Sequence, residues 1–230
     1  MPELPTVDAF RRYLIKENLI GDRIISVDVS WPPSIMLPQK DLFFAKIKGS
    51  YVKGIHRRGK WLFIELDKGT LGIHLRMTGS LFVIESSDPE IPYSRTKFHL
   101  QEGRRLVLSD PRKFAKLWFG TETTEILSQV GPEPLNDSLE PHIDFRFEEF
   151  SKHFVNRNIA VKTLLLDQSV VAGIGNIYAD EILLRCGLSP LIKTSQLKEA
   201  GIRSIYEGIV SVLGEAITEL DILLGQGLLP

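Results

Sequence analysis

Leu164-Leu165-Leu166-Asp167-Gln168-Ser169-Val170-Val171-Ala172-Gly173-Ile174-Gly175-Asn176-Ile177-Tyr178-Ala179-Asp180-Glu181 decides the fold of the second half of this chain. Two apolar runs at helical spacing flank a bend holding Gly173 and Gly175, which predicts two helices joined by a tight turn. Asn176 stands where the second helix begins, in the role of an N-cap. Glycines let a backbone come close to a ligand, and a helix N-terminus presents unpaired N–H groups that attract phosphate. A plain helical hairpin with a glycine turn fits the same residues.

Helical periodicity also marks residues 145–154, 159–166, 177–186 and 200–220. Upstream, Gly131-Pro132-Glu133-Pro134-Leu135 and an acidic stretch to Pro141 interrupt it. Before that linker the signal is β. Short runs fall at 24–29, 43–48, 51–56, 61–66, 71–75, 81–84, 97–100, 106–108 and 116–119, separated by Gly, Pro and Ser clusters. Trp31-Pro32-Pro33 and residues 86–92 read as loops. Residues 3–18 carry Leu4, Val7, Phe10, Leu14 and Ile15 at helical spacing, ended by Gly21. The expected class is α+β. An N-terminal β-sandwich preceded by a helix spans 1–130, a linker spans 131–144 and a C-terminal α-helical domain spans 145–230.

A chain of 230 residues, 43% hydrophobic, is long enough for one large domain or two small ones. The single cysteine, Cys186, excludes a disulfide framework and a cysteine-based zinc site. No apolar run approaches the ~20 residues of a membrane span, and the polar start does not read as a signal peptide, so a cytoplasmic protein is expected. The net charge of −1 hides an asymmetry. Lys53, His56, Arg57, Arg58 and Lys60 crowd residues 51–60 without an acid. Arg104, Arg105, Arg112, Lys113 and Lys116 face Asp110 alone, and from 121 to 150 the balance turns acidic. Local basic density sets where phosphates bind. A solvated strand face explains either cluster as well.

Met1-Pro2-Glu3-Leu4-Pro5 adds chemistry. A small residue at position two invites removal of the initiator Met, which leaves Pro2 as a terminal secondary amine beside the Glu3 carboxylate. An α-amino group titrates near pH ~8, so a useful fraction is a free nucleophile at neutral pH. Its attack on a sugar aldehyde carbon gives an iminium, a permanently cationic electron sink. An ordinary chain terminus fits the same residues.

The N-terminal motif and the glycine turn, with Arg57-Arg58-Gly59-Lys60, His74-Leu75-Arg76-Met77-Thr78-Gly79 and Asp110-Pro111-Arg112-Lys113-Phe114, resemble the formamidopyrimidine-DNA glycosylase and endonuclease VIII family of base-excision repair enzymes. The resemblance runs from Pro2 to roughly residue 220 and makes the glycine turn a helix-two-turn-helix motif. It implies a bifunctional DNA glycosylase and abasic-site lyase, acting on oxidised purines such as 8-oxoguanine, on formamidopyrimidines and on abasic sites. Pro2 would be the Schiff-base nucleophile, Glu3 the acid/base carboxylate, and Lys60 a phosphate contact that assists catalysis. Met77, Arg112 and Phe114 match the family's intercalating residues, which fill the space of a flipped base and bond its orphaned partner. His74, Arg76, Lys162, Gly173, Gly175 and Asn176 fall at DNA-contacting positions. His56, His99, His142 and His153 show no ligand spacing.

Three departures qualify the resemblance. Thr6 stands where the family usually has a second carboxylate, and Thr78 where some members have Glu. The sequence given ends at Pro230, without the family's four-cysteine zinc finger, so no cofactor is expected. The expected partner is duplex DNA with damaged bases or abasic sites, met by a monomer in a bacterial cytoplasm. Two other readings stand beside the enzyme: a catalytically weak family member that shelters damaged DNA, and an unrelated N-terminal-proline enzyme such as a tautomerase.

Overall fold

Leu4–Lys16 forms helix α1, because Leu4, Val7, Phe10 and Leu14 fall on one buried stripe and Pro5 lies in the first turn, where its missing N–H has no partner to lose. The computed structural model describes residues 1–135 and 144–228. After α1 come β1 (Ile24–Val29), β2 (Ile35–Leu37), α2 (Lys40–Ile47), β3 (Val52–Arg58), β4 (Trp61–Leu66), β5 (Gly69–His74) and β6 (Ser80–Glu85). Then follow β7 (Ser94–Leu100), β8 (Arg104–Ser109), β9 (Lys116–Gly120) and α3 (Thr124–Leu127). The second half holds α4 (Phe147–Lys152), α5 (Val161–Leu166), α6 (Asn176–Arg185) and α7 (Glu199–Gly225).

The strands form two sheets, ordered β1-β7-β8-β6 and β2-β9-β5-β4-β3. Every pairing is antiparallel except β2 with β9. Leu81, Phe98, Leu106 and Leu108 from the first sheet share one core with Ile55, Leu62, Ile64, Ile73 and Leu117 from the second, which makes the pair a β-sandwich. The outer face of the five-stranded sheet carries Trp61, Phe63 and Trp118 under Leu127 of α3.

The run at 43–48, expected as a strand, lies mostly in helix α2. Phe43 and Ile47 are four residues apart and both fully buried, so helical spacing places them on one core-facing stripe. The expected loop at Trp31 holds a single 3₁₀ turn, Pro32–Ser34, and β2 and α3 were too short to show in the sequence pattern. Residues 136–143, with Pro141 and His142, lie outside the described residues.

A second core gathers Phe150, Val161, Leu164, Leu165, Ile182, Ile205 and Ile209 from α4 to α7, and it also takes in Leu4 of α1. Conversely, Leu224 near the end of α7 belongs to the sandwich core. The 27-residue α7, about 40 Å long at 1.5 Å per residue, runs back from the helical half to α1. There Lys16 Nζ donates to the Leu224 carbonyl (2.9 Å) and Arg12 pairs with Asp221 (2.5 Å). The apolar stretch at 222–224 is thus helical and anchors through Leu224, while Ile222 and Leu223 stay exposed.

Candidate active site and nucleic-acid interface

The glycine turn is a seat for the N-terminus. The Leu4 N–H donates to the Gly173 carbonyl (3.0 Å). The Glu3 carboxylate, 2% exposed, accepts the N–H groups of Gly175 (2.6 Å), Ile177 (2.9 Å) and Tyr178 (3.3 Å). Helix α6 is therefore capped by a carboxylate from the other end of the chain, and its N-cap residue is Gly175, with the exposed Asn176 as first helical residue instead of the expected cap. A Cβ on Gly175 would lie 2.5 Å from the Glu3 carboxyl carbon, and one on Gly173 would lie 2.5 Å from Leu4 Cβ, with φ at +90°. Close approach is thus needed for Glu3 and Leu4, not for an external ligand. Neither glycine has a free N–H for phosphate, since that of Gly173 donates to Gln168 Oε1 (3.0 Å). Pro2, immediately before this anchor, is half-buried.

Lys60 leaves the β3–β4 turn and reaches the same seat. Its Nζ donates to the Ile174 carbonyl (2.7 Å), between the two glycines, and that carbonyl also accepts Gln168 Nε2 (2.8 Å). Burial pulls the Lys60 ammonium down to about 8, against the opposing pull of the Glu3 charge. Gly59, with φ at +56°, makes the turn and passes beneath Ala172 and Gly173. The turn is pinned by Glu133, whose carboxylate accepts Gly59 N–H (2.9 Å), Arg57 Nη1 (2.7 Å) and Arg58 Nη1 (3.1 Å).

This network corrects the reading of the first basic cluster. Arg57 and Arg58 are 0% and 1% exposed, both are paired with Glu133, and Arg57 also lies against the buried Asp8 (3.4 Å), so they brace the turn and cannot touch a phosphate. Much of the second cluster is engaged internally too. Arg104 pairs with Asp22, Arg105 with Glu90, and Lys116 Nζ donates to the Pro33 carbonyl.

Two neighbouring loops carry the expected wedge. Asp110, fully buried, accepts the N–H groups of Arg112 (3.2 Å), Phe114 (2.6 Å) and Ala115 (2.7 Å), and the Thr78 hydroxyl (2.5 Å). Burial works to raise the Asp110 pKa, but these four hydrogen bonds outweigh it and hold the carboxyl below its usual range. The Thr78 bond ties the β5–β6 loop to the β8–β9 loop. Met77 and Phe114 stand out from those loops at 43% and 44% exposure, and the Arg112 guanidinium lies 4.7 Å from the Phe114 ring centroid. A large exposed Met and Phe beside a planar cation can intercalate and hydrogen-bond a base.

His74 ends β5, where β5 pairs with the first residue of β4, Trp61. Its ring stands edge-on to Trp61 at 5.0 Å, and its Nδ1 accepts the Arg76 N–H (3.0 Å), which leaves the proton on Nε2. Burial, with the Arg76 and Lys60 charges, pushes His74 down to about 3, so it faces an anion as a neutral N–H donor. Lys162 is placed apart from this group, on α5, and its ammonium is paired with Asp180 (2.8 Å). His56 pairs with Glu65, and His99 with Asp28. Among the described residues no three His, Cys, Asp or Glu gather where they could hold a metal ion. No helix of the described chain is long and apolar enough to cross a membrane.

Sequence reasoning missed three supporting residues, Gln168, Glu133 and Asp110. Each sits inside or beside a motif that was noticed, but a positioning carboxylate or amide looks like any polar loop residue until its partners are placed.

Residues 1–117 match the family model of the formamidopyrimidine-DNA glycosylase N-terminal domain, and residues 130–223 match that of the H2TH domain of the same enzymes. The formamidopyrimidine-DNA glycosylase of Protochlamydia amoebophila is 37% identical over 228 residues, covering 99% of this chain and 80% of the relative. That of Bacillus subtilis is 39% identical over 223 residues, covering 94% and 78%. Among solved structures, the Lactococcus lactis enzyme (Fpg) bound to DNA containing an abasic site superposes with a TM-score of 0.85 at 29% identity, covering 94% of this chain and 78% of that one. The same enzyme bound to DNA containing Fapy-dG also gives 0.85 at 29% identity, covering 94% and 80%.

Proposed function

Since the chain belongs to the formamidopyrimidine-DNA glycosylase family, we propose that it is a bifunctional DNA glycosylase and abasic-site lyase, acting on oxidised purines, formamidopyrimidines and abasic sites in duplex DNA. The observation that carries this reading is the seat of Glu3 on the N-terminus of α6, with Lys60 on the adjoining carbonyl and Pro2 at its edge. A carboxylate has about four lone-pair sites, and three of them receive N–H donors here, so one remains for the substrate.

Once Met1 is removed, the Pro2 nitrogen attacks C1′ of the damaged nucleotide. The glycosidic electron pair leaves with the base, which takes up a proton from water, and nitrogen gives its own proton to the Glu3 carboxylate. Glu3 passes a proton to the sugar ring oxygen as the ring opens, leaving a cationic iminium between C1′ and Pro2. Loss of a C2′ proton then expels the 3′ phosphate, and loss of a C4′ proton expels the 5′ phosphate. Lys60, His74 and Arg76 hold the backbone on the sandwich side, and Asn176 and Lys162 on the helical side. Lys162 must exchange Asp180 for a phosphate to do so. Met77 and Phe114 occupy the vacated stack, and Arg112 bonds the orphaned base.

Borohydride reduction in the presence of abasic-site duplex tests the proposal. The expected product is a covalent adduct whose peptide map places the sugar on the Pro2 nitrogen. No adduct from protein with a free Pro2, or an adduct on a lysine, overturns the mechanism. Faster nicking of 8-oxoguanine duplex than of undamaged duplex tests the glycosylase step. Equal rates leave only the lyase.

A further inference from the structure

The five-stranded sheet holds Lys60 and His74 at one end. At the other end, the β4–β5 turn at Lys68 meets the α2–β3 loop and the start of β1. There Arg23, Ile25, Lys48, Gly49 and Lys68 line a cleft of about 430 Å³. A Cβ on Gly49 would lie 3.4 Å from Arg23 Nη2 and 3.6 Å from Lys68 Nζ, so the two cations converge on one point. Carbonyls prop both: Arg23 Nε donates to Gly49 O (3.4 Å) and Lys68 Nζ to Lys48 O (3.1 Å). Beside them Tyr51, 40% exposed, lies 5.6 Å from the Arg23 guanidinium and 5.8 Å from the Lys53 ammonium.

Among the described residues, Arg23, Lys48, Lys53 and Lys68 have no carboxylate at ion-pair distance, whereas Arg57, Arg58, Arg104, Arg105 and Lys162 do. The nearby Asp67 accepts the Tyr51 N–H (3.0 Å), and Glu65 faces His56. Converging like charges without a counter-ion repel, and a phosphate oxygen between them relieves that repulsion. The cations also continue sideways through Tyr51 to Lys53 instead of closing around one small anion, which suits a backbone better than a free phosphate.

We propose that this cleft is a second DNA site, which holds the phosphodiester backbone of another duplex while the catalytic end holds the damaged one. The seven residues of β3 separate the two ends by about 20 Å, so DNA seated on Lys60 and His74 leaves the cleft open. A protein with two such sites passes directly from one DNA segment to another.

The test is capture of a labelled, undamaged duplex by protein already bound to an immobilised duplex carrying a tetrahydrofuran abasic analogue. Native protein is expected to capture it at one protein per pair of duplexes. The Arg23→Gln/Lys68→Gln double variant should lose capture tenfold or more while holding the first duplex as tightly as native protein. Lys68→Arg should retain capture. With two phosphate contacts removed, the salt slope for the second duplex should fall by about 1.8. Absence of capture by native protein, equal capture by the double variant, or capture only by two protein copies overturns the proposal. So does competition by inorganic phosphate at sub-millimolar concentration without duplex capture. Failure to hold the first duplex would instead count against the proposed function.

Discussion

At the scale of single residues, the site trades stability for a charge in the right place. Lys60 is 9% exposed and its pKa has fallen to about 8, so the folded chain carries an ammonium it would more easily neutralise. The unfolded lysine holds its proton to about 10.4. Below 8 the fold bears the full penalty, and stability rises as pH climbs from there toward that value. Lys60→Met is therefore expected to stabilise the free protein by about 1–2 kcal/mol, a few degrees in Tm, while weakening DNA binding and lowering its salt slope by about 1. Calorimetry and salt-dependent anisotropy read the two effects, and an unchanged Tm would remove the burial argument. His74 has the same sign and the same leading cause, burial, with two neighbouring positive charges added. Its unfolded form takes up a proton below about 6.5, while burial, helped by the Arg76 and Lys60 charges, lets the folded ring resist down to about 3, so stability declines as pH falls through that window. His74→Gln should flatten that decline. Because the ring is a neutral donor, the His74 contribution to DNA affinity should not change between pH 6 and 8. An affinity that rises as pH falls, and stops doing so in His74→Gln, would mean that DNA recharges the ring.

Secondary-structure elements show where the sequence was readable. The α1 stripe, β4 and the glycine turn follow from periodicity and punctuation alone. At 43–48 two adjacent phenylalanines and an isoleucine read as β, yet the spacing of Phe43 and Ile47 was the better guide because only a helix buries both on one core. Basic density misled for a related reason. Arg57 and Arg58 looked available because their partner, Glu133, is more than seventy residues away in the chain. The glycines had the right importance and a different cause, since the groups they admit are Glu3 and Leu4 of the same molecule. That cause is testable. Gly175→Ala should displace the Glu3 carboxyl, uncap α6 and cost about 1–3 kcal/mol, with borohydride trapping falling at least tenfold although no catalytic side chain has changed. Trapping at the native rate would show that Glu3 need not sit on α6.

Over the whole molecule the two halves are stitched together crosswise, which no local pattern announces. Glu133, at 1% exposure, joins the linker to β3 through two buried arginines. Removing it as Glu133→Ala leaves Arg58 without a counter-ion and Arg57 with only Asp8 (3.4 Å), which is expected to cost about 3–5 kcal/mol in denaturant unfolding. Leu4, from the N-terminal helix, fills the helical core, and Leu224, from the C-terminal helix, fills the sandwich core. Each plug belongs to the other half, so neither core can open without withdrawing a side chain from its counterpart. Native protein is therefore expected to melt in one calorimetric transition. Leu4→Ala and Leu224→Ala should each lower that same transition by about 2–4 kcal/mol, the cost of a cavity at a fully packed site. Native protein melting in two steps, or a variant that shifts only one of two, would mean that the halves fold independently and that Glu3 is held on α6 by local contacts alone.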